Sequence, residues 1–211
     1  MGFLSDQFAL LNQLFALGGW VLPLILLAAL AAIGIILNRL WILRRSRVSP
    51  KPLIAQLEMF IMTGQEEKAR TLLIQENTPI APILMALFEQ TGQSMRVLRE
   101  AIEEEGRFQV ARLDRYLGFL GSIAGAAPLL GLLGTVFGIM HAFAAIGTVG
   151  MGNPKQLASG IAEALITTAA GLLVAIPSLM AYRMLRSRVD TLVLRIERDA
   201  LRIANLLAGE R

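Results

Sequence analysis

The chain has 211 residues, 55% of them apolar, a share high for a soluble domain, and the apolar residues are gathered into blocks. It contains no Cys and one His, which excludes disulfides, thiolate metal sites and cysteine nucleophiles and leaves no histidine cluster for a metal or other cofactor. The net charge of +4 raises nucleic-acid binding as a possibility, but twelve of the twenty Lys and Arg lie from Arg39 to Arg115, seven from Arg183 onward, and Lys155 alone elsewhere. That alternation marks sidedness across a membrane rather than a nucleic-acid face.

In chain order, Leu4, Phe8, Leu11 and Phe15 recur at helical spacing, so residues 1–18 are expected to form an amphipathic helix on the outer membrane face or to continue the first span. No basic residue precedes this stretch, so the first span is expected to be retained rather than cleaved as a signal peptide. Residues 19–42 carry no charge before Arg39 and are flanked by Trp20 and Trp41. Twenty-one residues at 1.5 Å rise separate those rings by about 32 Å, the distance between two interfacial aromatic belts.

The segment RRSRVSPKP at 44–52 ends that helix and opens a polar region over 43–115. Two short helices are expected at 53–62 and 66–75, broken at Gly64, with Thr63 and Glu66 spaced as a capping box, and a third at 80–90. These form a helical hairpin packed beside the longer helices. From Ser94 no proline occurs until Pro128, so one unbroken helix is expected from 94 to 146, about 80 Å long and projecting well beyond a bilayer. Its second span covers 116–147, a loop follows at 148–159, and the third span covers 160–183 with an expected kink at Pro177. The tail at 184–211 continues that helix, with Val189, Leu192, Ile196, Ala200, Ile203 and Leu207 as an apolar stripe. Arg188, Arg195 and Arg202 lie every seven residues on another face, either solvated or lining a vestibule in a symmetric oligomer. The basic flanks place the amino terminus and the 148–159 loop outside, and the 43–115 region and the tail in the cytoplasm.

Polar residues inside spans are the candidate functional residues. Gly131, Thr135, Gly138, Ala142 and Ala145 share one small face of the second span, which suits either close helix packing or a pore wall with Thr135 as its hydroxyl. Glu163 stands in GIAEALITTAAGLLVAIP; it either faces water, finds a partner or takes up a proton, or else sits at a helix amino terminus favoured by the dipole. Thr168, Gly171, Ala175 and Ser178 form a second small stripe, while a threonine within a span often bonds only to its own helix. His141 lacks a neighbouring carboxylate in sequence and is set aside. No hydrolytic or redox constellation is visible, so an enzyme is not expected.

The segments PLLGLLGTVFGIMHAF (128–143) and GIAEALITTAAGLLVAIP (160–177) resemble the paired signatures of the ExbB and TolQ proton channels, distantly related to MotA, with ExbB the nearer likeness. Phe137, Leu129 and Ser159 depart from residues common in that family. The resemblance implies an all-α membrane protein of the bacterial inner membrane, a homopentamer whose second and third spans surround a pore. That pore would hold an ExbD-like or TolR-like dimer bearing a protonatable Asp, and a TonB-like or TolA-like periplasmic protein would receive the work. By motif position it places Thr135, Glu163 and Thr168 on the proton pathway, with Thr167 an added hydroxyl. The implied role is a stator that uses the proton motive force for TonB-dependent import. A Tol-Pal subunit and a non-conducting scaffold are the alternatives, and a transporter is disfavoured because no broken-helix pair is present.

Overall fold

The computed structural model describes residues 19–44, 48–149 and 154–209. Among them the helices run α1 (Val21–Ile42), α2 (Lys51–Met62), α3 (Glu66–Gln75), α4 (Ile80–Glu89), α5 (Met95–Asp114), α6 (Leu117–Val149) and α7 (Pro154–Leu207), and no strand occurs. The proposed amphipathic helix at 1–18 lies outside the described residues. Two compact units divide the chain: one comprises the residues up to Ile36 with Tyr116–Arg183, the other Leu37–Arg115 with Met184–Arg211.

The first unit holds the apolar helices. Three stretches are long and apolar enough to cross a membrane, Val21–Ile42 and the apolar parts of Met95–Ala144 and Leu157–Leu207. Within them only 22%, 33% and 28% of the most apolar windows is buried. Leu30, Leu132, Leu165 and Leu173 all stand exposed. Apolar surface on that scale is stable only against lipid or other apolar helices, so the chain is a multi-pass membrane protein.

What holds α6 to α7 is the absence of side chains. A Cβ on Gly138 would lie 2.8 Å from the Gly160 carbonyl oxygen, and one on Gly171 would lie 2.6 Å from the Ala127 carbonyl oxygen. A Cβ on Gly131 would lie 3.1 Å from the Thr167 carbonyl oxygen. The helices run antiparallel with backbones in contact at successive turns, the arrangement that small residues permit in membranes. The small face of the second span is therefore a packing face: Gly131, Gly134, Gly138 and Ala142 are all buried in it. Ala164 meets Gly138 from α7, and Ala175 and Ser178 further along α7 are buried as well.

In the second unit α4 supplies the centre of the core. Ile80, Ile83, Leu84, Leu87 and Phe88 are enclosed where α4 packs on α3 and α5, and Leu57 of α2, Leu73 of α3 and Leu98 of α5 are enclosed too. The apolar stripe read from the tail is buried from Val189 to Ile203, together with Leu185 and Ala204, and only Leu207 is half-buried. Polar contacts tie the later part of α7 to the rest of this unit. The Ser49 hydroxyl donates to Asp199 at 2.5 Å, Arg202 meets Glu58 at 2.6 Å, and Arg186 pairs with Asp114. On α5, Glu103 one turn earlier holds the exposed Arg107 guanidinium above its ordinary pKa, by hydrogen bond and then by charge.

Two local expectations are corrected. Thr63 does not cap α3: the residue before that helix is Gln65, without a side-chain cap bond. The Thr63 hydroxyl instead donates back to the Met59 carbonyl at 2.8 Å. The reason is that Gly64, at φ +67°, closes α2 in a Schellman motif, with Gln65 N–H donating to Phe60 O and Gly64 N–H to Ile61 O. The helix expected to run unbroken from 94 to 146 is interrupted at Arg115 and Tyr116, where ψ of Arg115 is 135° and φ of Tyr116 is +65°. A left-handed tyrosine is costly and has no sequence signature, since neither Gly nor Pro marks the site. The division between the two units falls at this break. By contrast α7 runs as one helix through Pro177 and begins already at Pro154.

Replacing Gly138 with Val should destabilise the protein by about 1–3 kcal/mol, because the neighbours it meets include backbone that cannot yield. Gly118, with open space around its Cβ position, should accept Ala with no loss, and thermal unfolding in detergent compares the two. Leu84→Ala, at a fully enclosed site, should cost about 2–5 kcal/mol by the same measurement.

Candidate functional site

Thr135 and Thr168 lie on the two helices of the glycine-lined pair, and both are half-buried. The Thr168 hydroxyl donates across the pair to the Gly131 carbonyl at 3.0 Å. The Thr135 hydroxyl, one turn beyond Gly131 on α6, donates to the Leu132 carbonyl of its own helix at 2.6 Å. Both hydroxyl protons are thus committed to backbone carbonyls, and each oxygen keeps lone pairs to accept a further bond.

Thr167 behaves differently although it is adjacent in sequence. It is fully buried, and its hydroxyl donates to the Ala164 and Glu163 carbonyls at 2.9 and 3.1 Å. A Cβ on Gly134 would lie 2.3 Å from that hydroxyl, so Gly134 is the notch that receives Thr167. Within this chain Thr167 packs between helices and presents no surface. Successive residues on a helix point about 100° apart, which is why one threonine is enclosed and the next reaches the rim.

Glu163 is half-buried. Because α7 starts at Pro154, Glu163 sits about two and a half turns inside the helix, beyond the reach of the terminal dipole that would have explained it as an ordinary first-turn carboxylate. Its Oε1 lies against the backbone of Gly19, at 2.1 Å from where a Cβ would stand, and Gly19 has φ +57°. Beside it, the rings of Trp20 and Phe137 meet edge to face with centroids 5.1 Å apart. Trp20 is thus tied to α6 as well as exposed at the helix end. Nothing in the local sequence of Gly19 signals its meeting with Glu163, which only the fold creates.

His141 is exposed on α6. Arg188 and Arg202 are exposed and Arg195 half-buried, all within the second unit, and Arg202 is already paired with Glu58. Among the described residues no group of three or more His, Cys, Asp or Glu converges as a metal site would require.

Removing the Thr168 hydroxyl as Thr168→Val should lower thermal stability by less than about 1 kcal/mol, since interhelical hydrogen bonds in membranes average about 0.6 kcal/mol. Thr168→Ser should show no change, and melting of the detergent-solubilised protein would expose a larger structural role.

Residues 75–198, more than half the chain and including Thr135, Glu163, Thr167 and Thr168, match the family described as the MotA/TolQ/ExbB proton channel family. The chain is 42% identical over 135 residues to the Tol-Pal system protein TolQ of Haemophilus influenzae, covering 64% of this chain and 54% of that protein. It is 32% identical over 193 residues to a putative biopolymer transport protein ExbB homolog of Methanothermobacter thermautotrophicus, covering 90% and 68%. It is 44% identical over 90 residues to the biopolymer transport protein ExbB of Neisseria gonorrhoeae, covering 43% and 40%. The match thus spans only about half the length of the Haemophilus TolQ. The coverage by the family's own pattern, and the two signature helices packed against each other within it, establish that this chain belongs to the MotA/TolQ/ExbB proton channel family.

Proposed function

We propose that this chain is the proton-conducting stator subunit of an inner-membrane complex that uses the proton motive force to drive TonB-dependent import across the outer membrane. The observation that carries the reading is the hydroxyl arrangement on the packed pair: Thr168 bonded to Gly131, and Thr135 one turn along, both at the rim of a tight two-helix wall. Copies of that wall, arranged as a pentamer, would surround an ExbD-like dimer carrying a protonatable carboxylate. The protein acts as a conduit and not as an enzyme. In this reading its amino terminus is periplasmic and its carboxy terminus and the 43–115 region are cytoplasmic, an orientation that the distribution of basic residues supports.

In this mechanism protons come in from the periplasmic side near Glu163 and reach the partner carboxylate, whose neutralisation lets the inner dimer step past the ring of Thr135 and Thr168. One charge crossing 100 mV releases about 2.3 kcal/mol, enough to bias such a step. Thr167 serves the wall from within by filling the Gly134 notch. The motion would be passed to a TonB-like protein.

The likeness to TolQ of Haemophilus influenzae supports a second reading, a Tol-Pal subunit working with TolR-like and TolA-like partners. Co-purification separates the two, because an ExbD-like partner should be retained over a TolR-like one if import is the role. For either role, Thr135→Ala and Thr168→Ala in the complex reconstituted in liposomes should each cut proton flux at least about tenfold, the factor that 1.4 kcal/mol represents. Glu163→Gln should do the same without disturbing assembly, whereas a non-conducting scaffold would keep its function in all three variants.

A further inference from the structure

The two signature helices carry the threonines and Glu163, yet the Glu163 carboxylate rests against the turn that leads into a third helix, α1. Gly19, the residue against which Glu163 Oε1 rests, lies in the turn leading into α1 and outside the segment 75–198 that matches the family. Two independent features require glycine there. Its φ of +57° is strained for a side-chain-bearing residue, and any Cβ would fall 2.1 Å from Glu163 Oε1 and 3.3 Å from its Cδ. The turn is held on the side that enters α1. Trp20 meets Phe137 of α6 edge to face at 5.1 Å, and Val21, Leu22 and Ile25 of the first turns of α1 are buried.

We infer that Gly19 is a positioning residue for Glu163: the bare backbone of the turn, pinned to α6 through Trp20 and Phe137, forms the surface that sets where the Glu163 carboxylate points. The consequence follows from which partner can yield. A methyl at residue 19 meets the far end of a flexible side chain, so the carboxylate moves while the pinned turn stays. α1 would then be part of the proton path's construction, and not only an anchor. The link to proton movement rests on the function proposed above; the positioning of Glu163 does not.

The test uses the full chain with its partner in liposomes and a hydrophobic carbodiimide, which labels carboxyl groups at membrane depth, with the Glu163 peptide followed by mass spectrometry. Gly19→Ala should raise the labelling rate of Glu163 severalfold as the carboxylate leaves its half-buried position. Gly19→Asn should do the same, since Asn tolerates the left-handed region yet also carries a Cβ. If Ala proves too strained to fold, Asn alone decides. An unchanged rate in the folded variants overturns the inference, as does a change with Ala and none with Asn, which would trace the effect to backbone strain. Proton flux is read in parallel. Gly19→Ala should lower it about tenfold, the factor set by 1.4 kcal/mol. If the labelling rate rises while neither Gly19→Ala nor Glu163→Gln alters flux, the positioning stands and the proton-path reading fails.

Discussion

The backbone-to-backbone approach of α6 and α7 is the constraint on which the membrane unit depends. Lipid is as apolar as leucine, so two apolar helices gain nothing by leaving it for each other unless they fit more closely than lipid chains do. Gly131, Gly138, Gly160 and Gly171 supply that fit by placing no atom where the opposite backbone must lie. The placing of Thr167 and Thr168 follows from this geometry, and Glu163 stands on the same helix. Thr167 fits the notch at Gly134, Thr168 reaches the Gly131 carbonyl, and Glu163 lies one turn before Thr167 at half exposure. Closing the pair more loosely would lose contacts along its whole length, since dispersion falls off steeply with a gap of even 1 Å.

Patterns with a local physical cause were readable in the sequence. Charge-free blocks marked the apolar helices because a bilayer core tolerates few ions, and the stripe from Val189 to Ile203 marked a buried face because a helix repeats every 3.6 residues. What escaped the reading was decided at a distance or by a competing local motif. The spacing of Thr63 and Glu66 suits a capping box, but Gly64 first closes the preceding helix, which leaves Thr63 serving carbonyls behind it. Tyr116 carries no breaker, yet it holds a left-handed conformation between the two units. Gly19 and Glu163 are far apart in sequence, and neither predicts the other.

The surroundings of the candidate site residues were only partly legible in the sequence. The spacing of Gly131, Thr135, Gly138, Ala142 and Ala145 puts them on one small face, but a small face serves packing or a pore equally well in sequence. The contacts to Gly160 and Ala164 show which part packs, and they leave Thr135 at the rim. Likewise the motif could not separate Thr167 from Thr168, whose surroundings differ by a rotation of one residue. Glu163 as a first-turn carboxylate was an economical alternative until the start of α7 at Pro154 removed it.

The direction of the hydroxyl protons bears on how such a wall could serve proton transfer. Thr135 and Thr168 each donate to a carbonyl of their own chain, so toward a lumen they would offer only lone pairs. A lone pair accepts from a protonated carboxylic acid and repels a carboxylate. Under the proposed function, a partner acid passing this ring would be favoured in its neutral form and disfavoured when ionised. That is the sense the mechanism needs, because a charged group held among apolar helices costs several kcal/mol more to move than a neutral one. The threonines would then act as selective acceptors for the protonated partner, without themselves surrendering a proton, and the carbonyls of Gly131 and Leu132 are what hold them to that role.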